Sequence, residues 1–178
     1  MKRSFRFSLI KKLLLISVVL GLAGCLDNSD STAHQAEPPV TSLAAPTTNN
    51  LDMNVYKSPT CGCCGDWVTH VNQAGFATRS YDINNLTQLK ADKGLKPEYR
   101  SCHTAVSKEG YIFEGHVPAK YIQQFLAEQP EGALGLSVPG MPVGSPGMEM
   151  GDRYDSYDVL QINLDGTSLV YAHVKGNH

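Results

Sequence analysis

The chain has 178 residues, 42% hydrophobic and 18% charged, which is enough for one ordinary core. Five of its fifteen basic residues fall in the first 24 positions, so the remainder carries ten basic against seventeen acidic residues, a formal net charge of −7. That balance, without a basic cluster, argues against nucleic acid and against an anionic lipid surface as partners, and it suits cationic ligands.

The first segment reads as an export signal. Lys2, Arg3 and Arg6, then Lys11 and Lys12, precede the apolar run Leu13–Leu20. Leu22-Ala23-Gly24-Cys25 closes it and resembles the bacterial lipobox, in which the cysteine becomes the lipidated first residue of the mature chain. Residues 1–24 are therefore expected to be removed and Cys25 to carry lipid. Leu26 is not the Asp that signals inner-membrane retention in some lipoproteins, which leans toward the outer membrane. Residues 25–50 are rich in Ser, Thr, Asn, Pro and Ala, and cannot bury enough apolar surface to offset their ordering entropy. They read as a tether from the membrane to a single domain over 51–178.

The pattern predicts a strand over Asn54–Lys57. Next, Cys64, Trp67, Val68 and Val71 recur at i, i+3, i+4 and i+7, the stripe of a helix, with Gly75 as its stop. A strand over Phe76–Tyr81 and a helix over Leu86–Lys93, stopped by Gly94, follow. Thr104–Ser107 and Tyr111–Glu114 read as a hairpin around Lys108-Glu109-Gly110. Pro118 is placed as the first residue of a helix with Tyr121, Ile122, Phe125 and Leu126 on its buried stripe. Residues 129–156 read as loop, rich in Gly, Pro and Met. Tyr157–Asn163 and Ser168–Val174 close the chain as a hairpin around Asp165-Gly166. The order strand, cysteine-bearing helix, strand, helix, strand, strand, helix predicts a thioredoxin-like α/β (α+β) domain with a mixed sheet, an appended Met-rich loop and a C-terminal β-hairpin.

The chemistry concentrates in Pro59-Thr60-Cys61-Gly62-Cys63-Cys64-Gly65-Asp66-Trp67. Cys61 and Cys64 form a C-x-x-C pair, the spacing of thiol redox centres and of soft-metal sites. Cys63 between them favours metal over plain disulfide exchange. At the start of a helix, unpaired N–H groups and the dipole stabilise thiolates, the form that attacks disulfides and binds metal. In thioredoxin-like domains the loop before the third strand faces the C-x-x-C and usually carries a cis-proline. Here that loop is Arg100-Ser101-Cys102-His103-Thr104, with His103 where the proline should be. Cys102, and with it His103, are expected to converge on Cys61, Cys63 and Cys64. His103 also reads as a polar strand-end residue, and His116 equally as a ligand or a helix-start residue. Met141 and Met148 offer thioethers suited to Cu(I), or fill gaps in their loop. His34, His173 and His178 read as incidental and His70 as a solvated helix residue.

Four thiolates could hold zinc, but structural zinc sites usually use two separated knuckles. An iron–sulfur cluster would have to be assembled outside the cell. Crowded thiolates with nearby thioethers suit Cu(I), in more than one copy if sulfurs bridge. Two other readings stand beside this one. One is a metal-free thiol–disulfide oxidoreductase using Cys61 and Cys64 as its catalytic pair. The other is a lipoprotein stapled by two disulfides, for instance Cys61–Cys64 and Cys63–Cys102.

The stretches Val55–Trp67, Ser101-Cys-His-Thr-Ala105, Glu114-Gly-His-Val-Pro-Ala119 and Val138–Glu149 resemble the CopG-type periplasmic copper-resistance proteins, long known only as a domain of unknown function. The resemblance covers residues 53–174 and leaves the lipobox and tether outside. It implies a thioredoxin-like fold, copper binding by Cys61, Cys63, Cys64 and Cys102, with His103, His116, Met141 and Met148 matching the pattern. It further implies a part in handling excess copper outside the cytoplasm by cycling Cu(I) and Cu(II), with other periplasmic copper-handling proteins as partners.

Overall fold

A computed structural model describes residues 51–177. The signal, Cys25, the tether, His34 and His178 lie outside the described residues. The chain forms β1 (Asp52–Lys57), α1 (Gly62–Gln73), β2 (Ala77–Asp82), α2 (Leu86–Asp92), a 3-10 turn (Pro97–Tyr99), β3 (Thr104–Ser107), β4 (Ile112–Glu114), α3 (Ala119–Glu128), β5 (Ala133–Ser137), β6 (Tyr157–Asn163) and β7 (Ser168–Val174). The strands make one sheet in the order β2-β1-β3-β4-β5-β6-β7. β1 pairs parallel with β2 through the α1 crossover and antiparallel with β3, and β3 pairs antiparallel with β4. This is the expected thioredoxin-like half.

Two expectations change. Pro118 is the N-cap of α3, one residue before its first helical position. Residues 129–156 are not all loop: β5 lies within them, parallel to β4 through the α3 crossover and antiparallel to β6. The C-terminal hairpin therefore continues the same sheet. β5 was hidden because Gly135 interrupts its apolar residues. That glycine is required: a Cβ there would sit 1.8 Å from the Ile112 carbonyl oxygen, and it marks a register shift against β6.

The core joins α1, α3 and one face of the sheet. Val55, Trp67, Val71, Phe113, Ile122, Phe125, Leu136 and Val159 are fully buried. Phe125 meets Tyr111 and Phe113 edge-on, with ring centroids 5.1 and 5.8 Å apart. Trp67 fills the space between α1 and the start of α3, and its indole N–H donates to the Val117 carbonyl at 2.9 Å. Truncating such a side chain to alanine costs about 3–5 kcal/mol.

Candidate metal centre

Register places the site. Tyr56 of β1 lies opposite Thr104 of β3, Thr104 opposite Glu114 of β4, and Glu114 opposite Ser137 of β5. One row thus crosses four strands. Just beyond it lie the cysteine turn after β1, Cys102 and His103 before β3, His116 after β4, and the Met-rich loop after β5. The chain order differs, but the pairing brings all four segments to one end of the sheet, where the parallel β1 also ends.

Cys61 is the N-cap of α1, so Cys63 and Cys64 occupy its first turn. Cys61 and Cys64 are joined by a disulfide, whereas Cys63 and Cys102 are free thiols, both half-buried. The Sγ atoms of Cys61 and Cys63 are 3.5 Å apart. All four sulfurs of Cys61, Cys63, Cys64 and Cys102 lie within 4.8 Å of one another. The expected convergence of Cys102 on the helix cysteines is therefore met. Of the two disulfides considered, Cys61–Cys64 is present and Cys63–Cys102 is not.

Cys102 belongs to a second cluster as well, with one ring nitrogen from each of His103 and His116 within the same 4.8 Å. Its sulfur is 3.2 Å from His103 Nδ1 and 3.0 Å from His116 Nε2. The His116 tautomer follows from its other contact. Nδ1 lies 2.7 Å from the Pro146 carbonyl, which only accepts, so Nδ1 carries the hydrogen. Burial holds His116 below the usual imidazole range, leaving Nε2 as a bare acceptor facing Cys102. Burial, and then the neighbouring Cys63, push the Cys102 thiol up to about 12. Cys102 is thus a neutral thiol that donates to His116 Nε2, a proton that a soft cation would replace.

His103 is fully buried against Trp67, ring centroids 4.4 Å apart, and edge-on to His116 at 5.1 Å. Burial first, then His116 and Lys90, hold its imidazole neutral, well below the usual range. Its Nε2 is a buried polar atom without a hydrogen-bond partner among the described residues, an arrangement that costs about 1–3 kcal/mol when nothing fills it.

The Met-rich loop closes over these residues. Gly140 O accepts from the Ser101 hydroxyl and Pro146 O from His116. At Gly147 the loop touches the helix itself: φ is +84°, and a Cβ would lie 2.6 Å from Cys63 O and 2.8 Å from Trp67 N. Met141 is half exposed on this loop and Met148 partly buried; each follows a glycine, Gly140 or Gly147, whose backbone approaches the site.

Sequence reasoning missed three contributors. Lys90 and Glu114 form a buried ion pair beneath Ser101 and Thr104. A lysine on a short polar helix gives no sign of burial, and Glu114, at the end of a short strand, reads locally as a solvated charge. His70 is not a solvated residue: its Nε2 accepts from Ala119 N–H at 3.1 Å, capping α3 in place of the side-chain oxygen that Pro118 lacks. His173, by contrast, makes an exposed contact with Asp158 on the C-terminal hairpin and joins neither cluster.

The donor chemistry fits copper. Four sulfurs and two neutral imidazoles form a soft to borderline set suited to Cu(I). While Cys61 and Cys64 remain joined, thiolate donors are limited to Cys63 and Cys102, and two-electron reduction frees the other two.

Comparisons with known proteins give the family. The family model described as "Protein of unknown function, DUF411" matches residues 99–148, which carry Cys102, His103, His116 and the closing loop. Two solved structures are similar. "Copper resistance protein copG- Form 1" is 39% identical, covers 71% of this chain and 99% of its own, and superposes with a TM-score of 0.67. "Copper resistance protein copG- Form 2" is 38% identical, covers 69% and 97%, and gives 0.65. No curated relative matches the chain. At these identities, over nearly the whole of those chains, the chain belongs to the family of the copper resistance protein CopG.

Proposed function

We propose that this protein binds Cu(I) through Cys61, Cys63, Cys64 and Cys102 and serves copper resistance outside the cytoplasm, with copper as its substrate. The observation that carries the reading is the placement of the Cys102 sulfur within 4.8 Å of the three helix cysteines. His103 and His116 complete the donor set, and Met141 and Met148 supply soft thioethers along the covering loop. Cys61 and Cys64 then have a redox role. Two Cu(II) ions take one electron each from the dithiol, giving two Cu(I) ions, the Cys61–Cys64 disulfide and two protons. Running in reverse, two Cu(I) reduce the disulfide and leave as Cu(II). In this reading Cys25 carries the lipid anchor, 25–50 is the tether, and the domain works in the periplasm at the outer membrane with other copper-handling proteins.

The test uses the full chain, reduced anaerobically and titrated with Cu(I) against a chromophoric chelator. At least one tightly held Cu(I) per chain is expected, lost in Cys63→Ser/Cys64→Ser. Substoichiometric uptake, or uptake unchanged in that variant, overturns it. Cu(II) added to reduced protein should yield one disulfide per two Cu(I) formed. A metal-free thiol–disulfide oxidoreductase is the second reading, favoured by the Cys61–Cys64 disulfide at a helix start. It predicts disulfide turnover indifferent to a copper chelator. Separately, Cys25→Ser should release the protein from the membrane fraction.

A further inference from the structure

The buried ion pair between Lys90 and Glu114 lies beside the site and belongs to none of its donors. Lys90 is 4% exposed and Glu114 fully buried. Their bonds converge on one segment. Lys90 Nζ donates to Glu114 Oε1 and, at 2.9 Å, to Ser101 O. Glu114 Oε1 accepts from Ser101 N–H at 2.6 Å, and Oε2 accepts from the Thr104 hydroxyl at 2.6 Å. The pair therefore holds both the N–H and the carbonyl of Ser101 and the side chain of Thr104. Cys102 and His103 are the two residues between these anchors. His103 O is itself tied to Gly115 N–H at 3.0 Å, one residue after Glu114.

Stability alone is a weak reason for such a pair. A buried ion pair is often no more stabilising than well-packed apolar side chains, because desolvation offsets the attraction. A seven-residue helix has little stability to spare for burying a lysine. What the pair does supply is a rigid grip on a loop whose next side chain must point its sulfur at α1.

We propose that Lys90 and Glu114 are positioning residues of the sulfur site: by clamping the Ser101 peptide and Thr104 they aim Cys102 and His103 at the helix cysteines. The inference rests on the copper-binding reading above. Its test is Lys90→Met/Glu114→Gln in the full chain. The glutamine amide oxygen keeps an acceptor for Ser101 N–H and its NH2 group donates to the Thr104 hydroxyl, so the shape persists while the charges and the grip on Ser101 O go. Three quantities are read: the melting temperature of the metal-free protein, Cu(I) affinity by chelator competition, and the sulfur-to-copper charge-transfer absorbance per bound copper. The folded variant is expected to lose about tenfold or more in affinity, the usual scale for groups that orient metal ligands, with weaker absorbance per copper. Wild-type affinity and spectrum in the folded variant overturn the proposal. If this variant does not fold, Lys90→Gln/Glu114→Gln, which keeps a donor for Ser101 O, takes its place with the same two outcomes; failure of both to fold makes the pair a stability element and also overturns it. Absence of copper binding by the wild type would instead remove the function proposed above.

Discussion

Gly147 is where the covering loop meets the cysteine helix, and Gly147→Ala tests that contact. An L-residue at φ +84° costs about 1–2 kcal/mol. The added Cβ would lie 2.6 Å from Cys63 O and 2.8 Å from Trp67 N. Both are backbone atoms, so no side chain can swing aside and the loop must lift, at the roughly 1–3 kcal/mol typical of overpacking. The loss of unfolded-state freedom returns about 0.4–1 kcal/mol. The net expectation is destabilisation between about 1 and 5 kcal/mol, centred on about 3 kcal/mol, or roughly 10 °C in Tm for a domain of this size. Gly140→Ala is the control: φ is +72°, but no atom lies within 4 Å of the added carbon, so only the backbone cost of about 1 kcal/mol applies. Urea denaturation of both variants, metal-free, gives the comparison. Lifting the loop also draws Pro146 O away from His116 Nδ1, so Gly147→Ala should weaken Cu(I) binding by about tenfold. If Gly147→Ala is no more destabilising than Gly140→Ala, the loop does not pack on α1 as described.

Two further outcomes follow from titrating groups. Burial lowers the His70 imidazole below its usual range although Glu149 raises it, and its Nε2 can cap α3 only when unprotonated. A lowered pKa in the folded state means that its contribution is complete above about pH 6.5 and is lost as pH falls below that value. Wild type should therefore lose stability as pH falls from about 7.5 to about 5.5, and His70→Gln should lose less; equal losses would refute the cap. Cys102, with its thiol pushed up to about 12, should alkylate more slowly than a free peptide cysteine at about pH 8, with its rate still climbing past about pH 10. Peptide mapping after iodoacetamide reads this directly, and a rate that levels off near the ordinary thiol pKa of about 8.5 would contradict it.

The convergence of Cys102 on Cys61, Cys63 and Cys64 was legible in the sequence, because a C-x-x-C at a helix start and a Cys-His before the third strand are fixed to one place by strand order. β5 was not legible: its pattern breaks at Gly135, which the close approach of Ile112 demands and which reads locally as loop. Nor was Lys90, since a lysine becomes buried only when a distant carboxylate, here 24 positions on in β4, meets it. His70 was misread for a related reason. Its partner is a backbone N–H 49 positions away, exposed because Pro118 supplies no capping oxygen to α3. Local chemistry announced itself, while polar support built from long-range pairs did not.

X-ray absorption at the copper edge of the full chain, reduced and loaded with one Cu(I), tests the sulfur site most directly. A sulfur-dominated shell that loses a sulfur in Cys102→Ser is the predicted result. A shell of nitrogen and oxygen alone, or one unchanged by Cys102→Ser, would contradict it.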